Sequence, residues 1–67
     1  MNESQAARER IRQRTIRKIL EVAERKAEKT DEDFDVVLRR VATEFTERWP
    51  TLAAIAADVV IERETFD

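Results

Sequence analysis

Not one glycine occurs in the chain, and its only proline is Pro50. Tight β-hairpins rely on residues that accept positive φ, glycine above all, so a chain without glycine has few ways to reverse direction between strands. Period-2 alternation of apolar and polar residues is also missing, whereas Ala, Arg, Glu, Lys and Leu abound. The expectation is an all-α fold in which every connection is a helix cap or a helix-breaking corner.

Two such breaks stand out. Thr30 precedes Asp31, Glu32 and Asp33, an N-cap hydroxyl followed by carboxylates that suit the positive end of a helix. Pro50 cannot continue a helix from before but can open the next, and it biases Trp49 away from the helical region. Helices are therefore predicted near 4–28, 31–48 and 51–64, within a single domain, as the length of 67 residues allows.

Each predicted helix has its own pattern. On the second, Phe34, Val37, Leu38, Val41, Ala42 and Phe45 recur at steps of three and four, a core-facing stripe with Arg39, Arg40, Thr43 and Glu47 behind it. Val36 lies off that stripe, where it can extend a partner surface. The first helix has a comparable seam only from Ile16 onward, through Ile19, Leu20, Ala23 and Ala27. Projected backward, the seam meets Arg8, Glu9 and Arg12 where apolar residues should stand, so residues 4–14 are expected to project as an Arg-rich arm. A helix of about 25 residues is roughly 37 Å long, against roughly 27 Å for one of about 18. In the third helix, Leu52 to Ile61 is apolar at nearly every azimuth, and only the line through Asp58 and Glu62 is polar.

These patterns assemble into a small three-helix bundle with a partly overhanging first helix and the last two helices antiparallel. Its expected core is Ile16, Ile19, Leu20, Ala23, Phe34, Leu38, Val41, Phe45, Leu52, Ile55 and Val59. Such a core is thin, and domains of this size need disulfides, a metal, a partner chain or very regular helix packing. With no Cys and no His, the first two are excluded. A dimer through the third helix is expected instead, burying Trp49, Ala53, Ala54, Ala57, Val60 and Ile61, with a second copy or a different protein as the partner.

The same omissions narrow the chemistry. Without His, Cys or Tyr there is no usual base near neutral pH, no thiolate and no phenol. Without Gly there is no phosphate loop or dinucleotide fingerprint. Zinc and iron–sulfur sites lack their usual ligands. The acidic run Asp31-Glu32-Asp33-Phe34-Asp35 matches the opening of a calcium loop only superficially, since Val36 stands where the turn glycine belongs and Ala42 where the bidentate Glu belongs. No catalytic, cofactor-binding or metal-ligating residue is assigned. The longest apolar run, Leu52 to Ile61, contains Asp58 and is too short for a bilayer, and the Arg-interleaved start does not resemble a secretory signal. A cytoplasmic protein is expected.

Charge is unevenly spread. Residues 1–29 carry nine basic and five acidic side chains, and residues 30–67 carry four basic and ten acidic ones. Arg8, Arg10, Arg12, Arg14, Arg17 and Lys18 are therefore a candidate surface for a protein partner or for nucleic-acid phosphates. The overall pI near 5.2 and the lack of aromatic residues among the arginines weigh against nucleic acid. Thr51-Leu52-Ala53-Ala54-Ile55-Ala56 resembles the opening of the first helix in repressor-type helix-turn-helix units. The segment that follows lacks their glycine turn, and the resemblance implies no function. The expected function is that of a non-enzymatic regulatory or adaptor protein working through helix-mediated contacts, with nucleic-acid binding through the Arg-rich helix as the alternative.

Overall fold

A computed structural model describes residues 3–66. It is an all-α three-helix bundle: α1, Glu3–Thr30; α2, Phe34–Arg48; a single 3₁₀ turn, Pro50–Leu52; and α3, Ala53–Phe66. No strand occurs among the described residues. With 28 residues, α1 is about 42 Å long at 1.5 Å per residue. That length sets the long dimension of the molecule, which measures 43 × 26 × 16 Å. The other two helices, of 15 and 14 residues, are about half as long.

The first break lies three residues later than the sequence suggests. Thr30, the expected cap of α2, instead completes α1, its Oγ1 donating back to the carbonyl of Lys26 at 2.8 Å. Asp31 then closes α1 at φ 58°, its N–H donating to the Ala27 carbonyl at 2.9 Å in the left-handed closure that usually recruits glycine. The cap of α2 is Asp33, in extended geometry, whose Oδ1 accepts from the Asp35 N–H at 3.3 Å. A carboxylate competes well with a hydroxyl for this position, and here it immediately precedes the apolar stripe that α2 must bury. At the second break, Trp49 leaves the helical region and donates its N–H to the Phe45 carbonyl at 2.8 Å. Pro50 then opens the 3₁₀ turn, whose Leu52 N–H reaches the Trp49 carbonyl at 2.9 Å.

That corner joins the end of α2 to the start of α3. At the opposite ends Arg63 Nε donates to Asp35 Oδ1 at 3.1 Å, so α2 and α3 run antiparallel.

All three helices contribute to the core. Ile19 and Ala23 of α1, Val37, Leu38, Val41 and Ala42 of α2, and Ala56 and Val59 of α3 are buried. One alanine from each helix is among them, with Ala23 and Ala56 fully buried, and a side chain that short lets helix axes approach closely. Ile16, Leu20, Phe34 and Phe45, expected in the core, are half-buried and pack around this centre. Leu52 and Ile55 are half-buried as well. Thr15, one turn before Ile19, is the buried polar residue that the apolar pattern missed. No helix among the described residues is long and apolar enough to cross a membrane.

Candidate interaction surfaces

Helical geometry divides the six basic residues of the expected arm into separate sets. Arg10, Arg14 and Arg17 follow at steps of four and three on the side of α1 away from Thr15, Ile19 and Ala23. With Ala6, Glu9 and Gln13 they line an open depression of about 430 Å³. No acidic residue stands three or four positions from Arg8, Arg10 or Arg14. Arg10, Arg14 and Lys18 instead repeat at intervals of four, a like-charge ladder that costs a helix a few tenths of a kcal/mol per pair. Among the described residues, Arg8, Arg10, Arg14, Arg17 and Lys18 enter no ion pair, nor do Arg25, Lys29 and Arg48, whereas Lys26, Arg39, Arg40 and Arg63 do.

Arg12 lies on the opposite side, on the backward projection of the core seam. Its Nη1 donates to Asp58 Oδ2 at 2.8 Å and its Nη2 to Glu62 Oε1 at 3.5 Å. The guanidinium therefore bridges the two carboxylates that form the polar line of α3. Its pKa is raised, chiefly by the Asp58 hydrogen bond. The arm expected over residues 4–14 is thus tied to α3 at Arg12. Ahead of that contact the described residues are exposed apart from Ala6, including Ile11, which is 53% exposed.

The third helix presents an apolar face, and α2 completes it. Ala57, Val60 and Ile61 line one wall of an open groove of about 490 Å³, and Arg39, Ala42, Thr43, Thr46 and Glu47 line the other. Ile61 is 58% exposed. The two threonines contribute to the apolar character, because Thr43 Oγ1 donates to the Arg39 carbonyl and Thr46 Oγ1 to the Ala42 carbonyl, each at 2.9 Å. With the hydroxyls folded back onto their own helix, the methyl groups are left to the groove. The contribution of α2 was missed in the sequence, where Thr43 and Glu47 read as a solvated back face. Val36, which the sequence marked as able to extend a partner surface, is 49% exposed one turn before Arg39 and does not line the groove.

The expected interface residues therefore do not form one patch. Ala57, Val60 and Ile61 come together in the groove, with Ala53 half-buried and Ala54 exposed one turn earlier on α3. Trp49 faces the α1–α2 side, in a smaller depression of about 240 Å³ that it shares with Lys18, Val22, Phe45 and Arg48. Its ring lies 4.6 Å from that of Phe45, tilted by 47°, and the Arg48 guanidinium sits 5.2 Å from its centroid.

The acidic run after α1 is spent on local structure. Asp31 closes α1, Asp33 caps α2 and Asp35 meets Arg63. Both oxygens of Glu32 accept from Arg40, at 3.2 and 2.8 Å. That hydrogen bonding is the main reason the Glu32 carboxyl is held below the ordinary glutamate range and Arg40 is raised. Comparison of the chain with protein families, with curated proteins and with solved structures gave no significant match.

Proposed function

We propose that the chain is a non-enzymatic interaction protein that engages another protein through its helical surface. The observation carrying this reading is the α2–α3 groove, an apolar channel flanked by exposed Ile61 and floored by Ala42 and Ala57. Exposed apolar surface rimmed by charge is the usual mark of a contact site, and small residues on both walls accommodate a helix at close range.

A second reading is favoured by one specific feature, the ladder of Arg10, Arg14 and Lys18 with Arg17 beside it, which enters no ion pair among the described residues. Cations held in like-charge spacing suit a row of phosphates, and binding of that kind weakens steeply with salt. Fluorescence anisotropy with generic duplex and single-stranded DNA, between roughly 50 and 200 mM salt, separates the two. The protein-interaction reading expects no tight, salt-steep binding at the low end. Tight binding that falls steeply with salt and is lost in an Arg10→Ala, Arg14→Ala variant would overturn it in favour of the nucleic-acid reading.

A further inference from the structure

We infer that a second copy of this chain, related by a two-fold axis, covers the α2–α3 groove, which deepens the interaction reading above and rests on it. The charges on the α2 wall carry the inference. Arg39 and Glu47 stand at its two ends with Ala42, Thr43 and Thr46 between them, and Thr43 lies midway. A wall bearing one cation and one anion at equal distances from its centre does not favour a uniformly acidic or basic partner. It is complementary to itself turned through 180°.

The α3 wall, Ala57, Val60 and Ile61, lies across the groove from this stretch of α2, with α2 and α3 antiparallel. A single axis across both helices then sets α2 antiparallel to its copy at Thr43 and α3 antiparallel to its copy between Ala57 and Ile61. Arg39 of each copy meets Glu47 of the other, and Ala57 of each meets Ile61 of the other. The result is a four-helix layer pair in which the large exposed Ile61 fills the space left by the small Ala57. Arg39 already contacts Glu64 in its own chain, yet its side chain remains 64% exposed, and the guanidinium has donors for both carboxylates.

The symmetry supplies a test that self-association alone does not. In an Arg39→Glu variant both charge contacts become Glu against Glu, and in a Glu47→Arg variant both become Arg against Arg. Each variant is expected to weaken its own dimer by about tenfold or more at low salt. An equimolar mixture of the two variants restores both contacts as opposite charges. Sedimentation equilibrium of each variant and of the mixture is therefore expected to show weak homodimers and a mixed dimer within a few-fold of wild type. Glu64→Gln, which removes only the contact within the chain, is expected to leave the dimer intact, so loss through that contact is told apart from loss across the interface. A wild-type chain that sediments as a 7.9 kDa monomer at 100 µM, or a mixture that associates no better than the separate variants, overturns the inference. The DNA titration does not depend on the groove, so it still decides the interaction reading when the self-association test fails. Circular dichroism of each variant checks that these surface substitutions leave the helices in place.

Discussion

Asp31 is the one non-glycine residue at positive φ among those described, and it sits where glycine is the usual choice. An L-residue with a Cβ loses about 1 kcal/mol or more in that region. Asp31→Gly is therefore expected to stabilise the protein by about 0.5–1 kcal/mol in urea denaturation, even though it removes a side chain. In the core the balance is reversed. Leu38→Ala should lower stability by about 2–5 kcal/mol. Ala56→Leu, which adds volume at a fully buried position of α3, should cost about 1–3 kcal/mol through overpacking. Glu32 offers a check on charge. Its carboxyl is held low by Arg40, so the stabilisation is fully present above the unfolded glutamate value and is lost as pH falls through the lower, folded one. Carbon-detected NMR titration should place the Glu32 carboxyl below the ordinary glutamate range, and Arg40→Gln should return it to that range.

Among the elements, α1 is the longest and the least uniformly held. Thr15, Ile19 and Ala23 bury one seam, and ahead of them the link to α3 is Arg12 with Asp58 and Glu62. These side chains are between about one-third and three-fifths exposed, so the bridge orders the helix locally more than it stabilises the fold. Arg12→Ala is expected to speed amide exchange at residues 4–12 while leaving the exchange of Ile19, Leu38 and Val59 close to wild type. Asp58→Asn should act in the same direction, and the double variant should do little more than either alone because the contact is shared. The reverse pattern, with exchange rising in the core and not in the arm, would mean that Arg12 supports the bundle itself.

At the scale of the whole molecule, a short bundle with buried alanines on all three helices and an open groove along one side has a small core for its surface. If a second copy covers that groove, folding and association are linked. The melting temperature should then rise with protein concentration, as it does when a partner binds only the folded state. Scanning calorimetry across a hundredfold concentration range should show that rise for the wild type and a flatter dependence for Glu47→Arg. Added salt should weaken the Arg39–Glu47 contribution while leaving the apolar part largely in place.

Much of this architecture is legible in the chain itself. The absence of glycine and the period of apolar residues imply helices, Pro50 fixes the corner after Trp49, and the step of three and four along α2 marks the stripe that Leu38 and Val41 bury. These are local properties, set by backbone sterics and by the 3.6-residue period, and they need no knowledge of what lies opposite. What lies opposite is what the tertiary structure decided. Arg12 looked like an interruption of a seam, and the Asp58–Glu62 line looked like the solvent side of α3. Only the packing of the two helices makes them a bridge. Asp33 displaced Thr30 as the cap because α1 runs on two residues further, through Thr30, and closes at Asp31. The groove likewise required two helices from different parts of the sequence, because an apolar wall on α3 acquires a shape only when the methyl groups of Thr43 and Thr46 stand across from it. Periodicity encodes which way a residue points on its own helix; which residue it meets depends on the angle and depth at which helices cross, and these are set by side-chain volumes at contacts far apart in the chain.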